Sequence, residues 1–425
     1  MKKIALAILA LVMVAGLAAC AEPSGPGGVV QSEKPRVESP SVAQTDLEAL
    51  VNGNNAFAFD LYQVLKKEDG NLFYSPYSIS EALAMTYGGA RSTTETAMKN
   101  ALSFTLPQDR LHPTFNSLDL QLKQRGQDAK GKDDKGFRLN IVNAIWGQKD
   151  YTFLPAYLDL LGQNYGAGLR TLDFIKDTEA SRVTINDWVA EQTEQRIKDL
   201  LPQGSISNLT RLVLTNAVYF NAAWLHPFNE GATQDGTFNL LGGGTVTVPM
   251  MRETESYGYA EGTDYQAVSL PYDGNELSMV VLLPQAGKFA TFENALDAAM
   301  VKGITDKLAG QSVALTMPKF EYSSQFGLKD ALSTLGMAEA FTPSADLSGM
   351  NGDRDLFIHD VLHKAFVSVD EEGTEAAAAT GVIVGVTSAP ASPIAVEIDR
   401  PFIYLIRDNA TGSVIFIGRV LDPTE

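Results

Sequence analysis

The sequence predicts a protein of the α+β class, with helices grouped early in the chain and β-strands grouped late. Apolar residues recur with helical periodicity between residues 46 and 201, whereas alternation of period two dominates from residue 211 onward. No Pro- and Gly-rich linker or change in composition interrupts residues 46–425. These roughly 380 residues exceed the usual size of one domain, so length favours two domains, whereas the missing boundary favours one. We predict a single domain over residues 46–425.

The first 19 residues have the pattern of a bacterial lipoprotein signal peptide. Lys2 and Lys3 precede an apolar run from Ile4 to Leu17, which is too short to span a membrane, and small residues lead to Cys20. We expect cleavage before Cys20 and lipidation of this residue, which would anchor the chain to a membrane. The alternative is an ordinary secretory signal that happens to contain a cysteine.

Residues 20–45 are rich in Pro, Gly, Ser and charged residues and contain few large apolar side chains. Such a segment cannot form a hydrophobic core, so we predict a flexible or polyproline-like tether. Roughly 25 residues at about 3.1 Å each would reach on the order of 75 Å. The folded body would then stand clear of the membrane surface.

Helices are predicted where apolar residues follow spacings of three and four. Residues 46–67 should form the first helix. Ser75-Pro76 then begins a turn, and the serines that follow can cap a second helix, which Gly88-Gly89 ends. Further helical segments are predicted within 151–174, where the helix leads into a strand, and over 178–201.

Strands are predicted from period-two alternation and from apolar runs. Residues 211–224, RLVLTNAVYFNAAW, are largely apolar and indicate a strand at the centre of a sheet. Residues 245–284 alternate repeatedly and indicate a second sheet that is rich in hairpins. Residues 137–150 form another alternating segment, and in residues 356–375, LFIHDVLHKAFVSVDEEGTE, a strand should run straight into the stretch that begins at Glu371.

The stretch from Glu371 to Ser388, EEGTEAAAATGVIVGVTS, allows two interpretations. Ala and Glu favour helix over Glu375–Thr380, but one or two turns cannot persist alone in water. With period two, one face carries only small or β-branched uncharged residues, and residues 374–385 contain one charge in all. Such a strand could enter a sheet without burying an unpaired charge. The segment is therefore ambiguous between an exposed loop and an inserted strand.

This alanine-rich stretch near the C-terminus resembles the reactive-centre loop of the serpins. Its first residues, EEGTE, match the hinge of the inhibitory members, and residues 399–420, DRPFIYLIRDNATGSVIFIGRV, resemble the closing strands of that family. Residues 71–98 are similar to the segment in which a short strand feeds the second helix, and residues 211–224 to a central strand. The resemblance implies the serpin fold, with three β-sheets, eight or nine helices and an exposed reactive-centre loop.

The resemblance also implies particular site residues. The hinge, which would enter the main sheet first, comprises Glu371, Glu372, Gly373, Thr374, Glu375, Ala376, Ala377, Ala378, Ala379 and Thr380. A shutter cluster beneath the opening of the sheet would contain Ser75, Ser78, Asn216 and His363. A breach contact, where the loop first enters, would contain Trp224, Lys319 and Glu371. Without the resemblance, we expect helix capping from the two serines and a satisfied structural histidine at position 363.

The resemblance implies suicide inhibition of serine proteases. The target protease attacks the loop and forms an acyl-enzyme with it. Insertion of the loop as a strand then traps this covalent complex. The family's usual loop length places the reactive bond after Thr387 and before Ser388, with Val386 as an alternative. Small or β-branched residues suit the shallow pockets of elastase-like or subtilisin-like proteases, whereas trypsin-like proteases need Lys or Arg.

The sequence shows no pattern typical of an enzyme. No HExxH motif, GxSxG elbow, Walker A loop or GxGxxG motif occurs. Cys20 is the only cysteine, so no disulfide can form within the chain. The formal net charge of −18 argues against nucleic acid, which requires a basic surface. We expect no metal and no cofactor, and a monomer whose partners are the target protease and, through Cys20, a membrane.

Two other functions stay open. One is a serpin that does not inhibit and acts as a carrier or chaperone. The other is a surface-anchored lipoprotein that binds a solute between two lobes, which a linker near mid-chain would favour, and none is present. In each case the anchor places the protein in the cell envelope, on the outer face of a membrane, in the periplasm or exposed at the surface.

Overall fold

The computed structural model of the chain describes residues 28–127, 129, 137–374 and 392–425. The predicted signal peptide and Cys20 lie outside the described residues, as do the hinge residues Glu375, Ala376, Ala377, Ala378, Ala379 and Thr380. The predicted reactive bond between Thr387 and Ser388, with Val386 before it, also lies outside them. Predictions that rest on these residues therefore stay predictions.

The chain has the predicted α+β class. Within the described ranges there are ten α-helices, of which eight have seven or more residues, close to the predicted number. In chain order they are α1 (Gln44–Leu65), α2 (Pro76–Tyr87), α3 (Ser92–Ala101), α4 (Gln108–Lys123), α5 (Pro155–Tyr165), α6 (Thr178–Gln192), α7 (Phe289–Ala295), α8 (Ala298–Thr305), α9 (Lys329–Leu332) and α10 (Ser348–Asn351). A search of the same residues finds no helix with the length and apolar character that crossing a bilayer requires.

The first two helices agree with the sequence pattern. α1 covers nearly all of the predicted range 46–67 and buries its apolar side. Ser75, and not one of the serines that follow it, caps α2, because its side-chain oxygen accepts a hydrogen bond from the backbone N–H of Ser78 at 3.2 Å. Gly88 ends α2, as predicted.

One helix is shorter than predicted. The pattern predicts helix over 178–201, whereas α6 ends at Gln192. The buried hydroxyl of Thr193 donates to the carbonyl of Val189 at 2.8 Å and accepts from the backbone N–H of Ile197 at 3.2 Å. These bonds between side chain and backbone compete with the helical pattern, and the two residues after Thr193 take positive φ angles.

The described residues form sixteen strands, which cluster after the early helices as predicted. They are β1 (Gly28–Val30), β2 (Leu72–Tyr74), β3 (Arg138–Gln148), β4 (Leu169–Leu172), β5 (Leu212–Ala223), β6 (Gln234–Asn239), β7 (Thr245–Gly262), β8 (Tyr265–Pro271), β9 (Leu277–Pro284), β10 (Ala309–Pro318), β11 (Phe320–Gly327), β12 (Asp360–Asp370), β13 (Gly373–Thr374), β14 (Ile394–Glu397), β15 (Phe402–Asp408) and β16 (Val414–Val420).

Seven strands form the first sheet, in the order β1-β4-β3-β5-β13-β12-β11. β5 is buried over almost its whole length, as the apolar run 211–224 predicts. β3 lies antiparallel to β5, with Asn143 opposite Asn216. β12 lies parallel to β5 over six residue pairs, between residues 360–365 and 213–218.

Nine strands form the second sheet, along the path β14-β10-β7-β8-β9-β15-β16-β2, with β6 paired to β7 beside this path. The resemblance implies three sheets, whereas the hydrogen bonds of the described strands define two. The difference arises from β7, an 18-residue strand that pairs with β6 and β10 and, at its far end, with β8. One long strand therefore joins what would otherwise be separate sheets.

Helix α2 lies between the two sheets. All twelve of its residues are buried, and it contacts β3 and β5 of the first sheet and β16 of the second. β2, directly before α2, pairs with β16. The larger hydrophobic core surrounds this layer and extends from Leu47 to Val420. The start of α2 is thereby placed beneath the centre of the first sheet.

Residues 28–43 are not the flexible tether that their composition predicts. Residues 28–30 form β1, which pairs antiparallel with β4 at the edge of the first sheet. Arg36 donates hydrogen bonds to Asn116 and Asp119 at 2.7 and 2.5 Å. The tether prediction is therefore wrong for residues 28–43, because strand pairing and buried polar contacts, which composition does not reveal, hold them on the body.

Candidate functional site

The first sheet divides at one end and admits the start of the predicted hinge. β5 and β12 pair directly over residues 213–218 and 360–365. Beyond this region, Gly373 and Thr374 lie between the two strands as β13, antiparallel to both. The chain thus turns back after β12 and places two hinge residues inside the sheet.

Both residues of β13 occupy a narrow space. A Cβ atom on Gly373 would lie 2.1 Å from the carbonyl oxygen of Ala222, so a larger residue would displace the β5 backbone. Thr374 is only 1% exposed, and its hydroxyl lies 2.8 Å from that of Tyr272. Tyr272 stacks on Trp224, with ring centroids 4.7 Å apart. Position 374 therefore requires a small residue without charge.

The residues predicted at the breach lie around the turn between β12 and β13. Lys319 donates to the Glu371 carboxylate at 2.7 Å, and the Thr233 hydroxyl donates to its other oxygen at 2.8 Å. The Trp224 indole N–H donates to the carbonyl of Asp370 at 3.0 Å. Burial pushes the pKa of Glu371 up, but the hydrogen bonds from Lys319 and Thr233 outweigh it, so the pKa lies below its ordinary value. Glu371 is therefore ionised at neutral pH.

The four residues predicted as the shutter cluster lie together beneath the pairing of β5 and β12. His363 and Asn216 are opposite each other on these strands, and their side chains share a hydrogen bond. The Asn216 amide donates to the Ser78 hydroxyl at 2.5 Å. The Ser78 backbone N–H donates to the Ser75 hydroxyl, and the Ser75 backbone N–H donates to Nε2 of His363, each at 3.2 Å. These bonds close a ring that joins α2 to both central strands.

His363 is neutral in this ring. Because its Nε2 accepts the Ser75 N–H, the single proton of the neutral imidazole lies on Nδ1 and is donated to the Asn216 side-chain oxygen. Burial lowers the pKa of His363 to about 3. A second proton, on Nε2, would face the N–H of Ser75. Charging the imidazole would therefore break the ring.

Sequence reasoning missed two further members of this cluster, Asn143 and Glu81. Asn143 lies opposite Asn216 and accepts hydrogen bonds from Asn216 and Ser78. It also donates to the Glu81 carboxylate at 2.8 Å. Burial, together with the nearby Asp119 carboxylate, raises the pKa of Glu81. The available signal was an asparagine on the face of strand RLNIVNAIW that otherwise carries leucine and isoleucine.

The geometry of the ring suits parting of the strands rather than covalent chemistry. Its members are neutral, so each hydrogen bond can be exchanged for another at small net cost. Among the described residues, no group of three or more His, Cys, Asp or Glu side chains is placed to hold a metal ion. Neither hydroxyl of the ring is activated by His363, because Nδ1 bonds Asn216 and Nε2 bonds a backbone N–H.

Loss of the Lys319 cation should destabilise the uncut protein. We expect Lys319→Met to lower the free energy of unfolding by about 1.5 kcal/mol, because the buried Glu371 carboxylate loses its cation and keeps only the hydrogen bonds from Thr233 and from its own backbone N–H. Urea titration measures the change. Lys302→Met is the control, since Lys302 pairs with Asp306 at 2.6 Å on an exposed surface, where such pairs contribute less than about 1 kcal/mol. Equal changes in the two variants would contradict a stabilising contact at the breach.

Acidification should destabilise the uncut protein through two buried histidines. Burial lowers the pKa of His363 and of His112 to about 3, against about 6.5 in the unfolded chain. Their contribution to stability is complete above pH 6.5 and is lost as the pH falls toward 3. Between pH 6.5 and 5, His363→Gln and His112→Gln should each reduce the pH dependence of the free energy of unfolding, by up to about 1.4 kcal/mol per pH unit. Denaturant titrations at several pH values measure this pH dependence. An unchanged pH dependence in His363→Gln would mean that the imidazole becomes protonated within the folded protein.

Comparisons with known proteins agree with this architecture. The family model described as serpin (serine protease inhibitor) matches residues 52–423. An uncharacterized serpin-like protein of Thermococcus kodakarensis is 40% identical over 379 residues, which are 88% of this chain and 86% of that protein. The leukocyte elastase inhibitor of Sus scrofa is 38% identical over 389 residues, which are 89% of this chain and 100% of that protein.

A solved structure with a similar fold is that of human thyroxine-binding globulin complexed with thyroxine. It has a TM-score of 0.80 and 30% identity, and the match covers 89% of this chain and 100% of that one. The family model spans most of the described body, and these relatives are matched along most or all of their own length. We conclude that the chain belongs to the serpin family of serine protease inhibitors.

Proposed function

We propose that this serpin is a suicide inhibitor of serine proteases of the elastase-like or subtilisin-like kind. The observation that carries the proposal is the position of Gly373 and Thr374 between β5 and β12. A loop that continues in the same direction can enter the sheet as a further strand. The leukocyte elastase inhibitors among its relatives support inhibition of a protease as the activity.

The register of β13 predicts where each loop residue would lie after insertion. Each residue after Thr374 would face a position one residue earlier in both β5 and β12. Thr380 would then lie between His363 and Asn216, whose side chains bond each other in the uncut protein. Its hydroxyl can replace a hydrogen bond that this separation breaks. Insertion as far as Ile383 would part all six residue pairs that join β5 to β12.

Insertion would release a large free energy. About a dozen loop residues would gain backbone hydrogen bonds at a net of roughly 1 kcal/mol each bond, which sums to on the order of 10 to 20 kcal/mol. The stability of a typical domain is about 5 to 15 kcal/mol. The uncut protein is therefore a kinetic trap. The far end of the loop supports this view, because β14 is held in the second sheet by parallel pairing with β10.

Cleavage of the loop removes the restraint at that far end. The attacking serine oxygen of the protease forms an ester with the carbonyl carbon before the cut, and the new amino terminus leaves with β14. Strand insertion then carries the attached enzyme across roughly 40 Å, at about 3.3 Å per residue. If displacement precedes attack by water on the ester, the protease stays covalently bound.

We place the reactive bond between Thr387 and Ser388, with Val386 as the alternative residue before the cut. No Lys or Arg occurs from Glu371 to Ile398, so the loop contains no bond for a trypsin-like protease. A small or β-branched residue before the cut suits a shallow pocket instead. Mass spectrometry of the loop after incubation with an elastase identifies the bond, and cleavage away from residues 386–388 rejects this register.

We further propose that Cys20 carries a lipid anchor and that the inhibitor acts as a monomer at the cell envelope. The basic, apolar and small-residue segments before Cys20 support lipoprotein processing. An inhibitor held on the outer face of a membrane, in the periplasm or at the cell surface would meet proteases before they reach envelope proteins.

A change at Thr374 should convert the inhibitor into a substrate. Wild-type protein incubated with pancreatic elastase or subtilisin should give a band on a denaturing gel that is heavier than either protein. Thr374→Arg should be cleaved without this band, because an arginine cation cannot be buried unpaired between β5 and β12. Thr374→Ser is the control and should keep the band, since it retains a small hydroxyl.

The outcomes separate inhibition from its alternative. A covalent band of unchanged intensity with Thr374→Arg would contradict insertion through the described hinge. If the wild-type protein forms no covalent band with any serine protease, and its melting temperature does not rise after the loop is nicked, inhibition is rejected and a serpin that does not inhibit is favoured.

A cavity supports a second candidate function, the binding of a small organic anion. It has a volume of about 250 Å³ and lies among α1, α8 and the facing ends of β15 and β16. Phe59, Val301 and Leu405 form part of its apolar lining. Arg407 also lines it, and the buried Nε of this residue has no hydrogen-bond partner among the described residues.

The positive charge of Arg407 is available to bind an anionic ligand. Asp306 and Asp408 lie close enough to influence it, but they are paired with Lys302 at 2.6 Å and with Arg125 at 2.7 Å. Burial lowers the pKa of Arg407, so its partly desolvated cation would gain from an anion. An aryl carboxylate of one or two rings matches the volume, the apolar wall and the cation. Human thyroxine-binding globulin, which has a similar fold, is solved in complex with thyroxine.

Isothermal titration with 2-naphthoate tests this second function. Wild-type protein should bind 2-naphthoate, and Arg407→Gln should raise the dissociation constant at least tenfold because the cation is lost. The neutral 2-naphthamide should bind more weakly and without dependence on Arg407. Arg354→Gln is the control, since Arg354 pairs with Asp346 outside the cavity. Equal affinity of wild type and Arg407→Gln for 2-naphthoate would reject the cavity as an anion site and leave the inhibitor proposal untouched.

A further inference from the structure

We propose that the docked N-terminal segment, residues 28–43, controls the opening of the first sheet. It would act from Arg36 to its partner Asp119 on α4, through the charge of Asp119 on Glu81 of the neighbouring helix α2, and from Glu81 to Asn143 in the shutter cluster. Arg36 is thus a positioning residue for that cluster. The inference rests on the proposed function, because it supplies a regulator of the same strand insertion.

The body is shaped to receive this segment. A Cβ atom on Gly168 would lie 2.8 Å from Val29, and one on Gly162 would lie 3.1 Å from Ser32, so both glycines permit a close approach. The Ser32 hydroxyl donates to Asp159 of α5 at 2.5 Å. Together with the pairing of β1 and β4, these contacts tie the edge of the first sheet to helix α5.

Arg36 is the central contact of the docked segment. Its Nε donates to Asn116 and its Nη2 to Asp119, at 2.7 and 2.5 Å, and both acceptors are on α4. The Asn116 amide returns a hydrogen bond to the carbonyl of Val37 at 2.7 Å. The Arg36 and Asp119 side chains are 12% and 6% exposed, so this ion pair is screened from water. Asp119 has a second cation, Lys123 at 2.7 Å, but that side chain is 57% exposed.

Glu81 and Asp119 are both buried and lie on the neighbouring helices α2 and α4, behind the shutter cluster. Glu81 is buried on α2, and burial together with the Asp119 charge raises its pKa to about 8. The Lys123 and Arg36 cations and the hydrogen bond from Asn143 oppose this effect. The phenols of Tyr77 and Tyr165 also face this cluster, with their own pKa values raised by burial and by the charge of Glu81. Removal of Arg36 would leave two buried carboxyl groups with one solvent-exposed cation.

Glu81 connects the charges of Arg36 and Asp119 to the central strands of the first sheet. It accepts from Asn143 at 2.8 Å, and Asn143 accepts from Asn216, the residue that bonds His363 across β5 and β12. Insertion of the loop must move β5, with the strands on its side, away from β12. The docked segment opposes this motion in two ways. It ties β4 to helix α5, and its Arg36 cation balances the carboxyl groups of Asp119 and Glu81 behind Asn143.

The effect should depend on pH. The folded protein favours protonated Glu81, so this residue supports stability below about pH 4.5, and the contribution is lost as the pH rises toward about 8. Without Arg36, ionisation of Glu81 would be still less favourable. The loss caused by an Arg36 substitution should therefore be larger at pH 9 than at pH 6.

The test follows how long uncut full-length protein keeps its ability to form the covalent complex during incubation below its melting temperature. Arg36→Gln should shorten the half-life at least tenfold at pH 9 and less at pH 6. Adding Glu81→Gln should restore most of the half-life, because the introduced amide oxygen still accepts from Asn143 and the side chain carries no charge. Lys34→Gln is the control from the same segment, since Lys34 pairs with Asp159 at an exposed position, and should change the half-life less than twofold.

The outcomes distinguish this inference from the proposed function. An unchanged half-life in Arg36→Gln, or a failure of Glu81→Gln to restore it, overturns the coupling. Glu81→Gln alone should lengthen the half-life at pH 9, which tests the same coupling in a second variant. If the wild-type protein forms no complex at all, the proposed function fails, and the coupling is scored instead from the urea midpoints of the same variants at pH 6 and pH 9.

Discussion

The parallel pairing of β5 with β12 is the constraint on which the rest of the structure depends. It covers six residue pairs, whereas β5 pairs with β3 over ten and β12 with β11 over eight. The sheet thus has two strongly paired parts and a short contact between them, with the two residues of β13 at its end. Such a contact can open while each part keeps its own hydrogen bonds. The short pairing between β5 and β12 at the centre of the sheet is therefore where we propose that a new strand enters.

Charged and neutral contacts are distributed accordingly. The Lys319–Glu371 ion pair lies at the turn before β13, which keeps its place when a strand extends from Thr374. The contact between His363 and Asn216 joins neutral groups, and the proposed insertion would have to separate them. Separating buried charges costs several kcal/mol more than exchanging neutral hydrogen bonds. The proposed insertion would therefore leave the Lys319–Glu371 ion pair intact and separate the neutral side chains of His363 and Asn216.

Much of the fold could be predicted because its signals are local. The helical spacing of 46–67, the apolar run at β5 and the alternation over 245–284 each specify an element without knowledge of the rest. The joining of two predicted sheets by β7 depends on which strands pair with it, and no local pattern contains that information. The docking of residues 28–43 was missed for the same reason, because composition describes a segment and not the surface that receives it.

The site residues divide in a similar way. The shutter cluster and the first part of the hinge, Glu371 to Thr374, could be located from resemblance, since their residues stand in recognisable motifs. Thr233 and Tyr272 could not, because each meets the hinge only through the tertiary fold. Asn143 was the one missed residue with a local signal, a polar side chain on an apolar strand face. The reactive bond itself stays a prediction from loop length.

The proposed metastable state needs two separate restraints. In the uncut chain, residues 375–393 bridge from Thr374 in the first sheet to Ile394 in the second. Each inserted residue shortens this bridge by one residue and lengthens its return path by about 3.3 Å. With about ten inserted, the remaining nine or so reach roughly 32 Å, no farther than the return path alone, so the intact chain cannot complete the strand. With only six inserted, as far as Thr380, about 13 residues remain and reach roughly 45 Å against a return path of about 20 Å. The bridge of residues 375–393 therefore prevents complete insertion of the loop but allows insertion to begin. The hydrogen-bonded ring around His363 must then keep β5 and β12 from parting in the uncut chain.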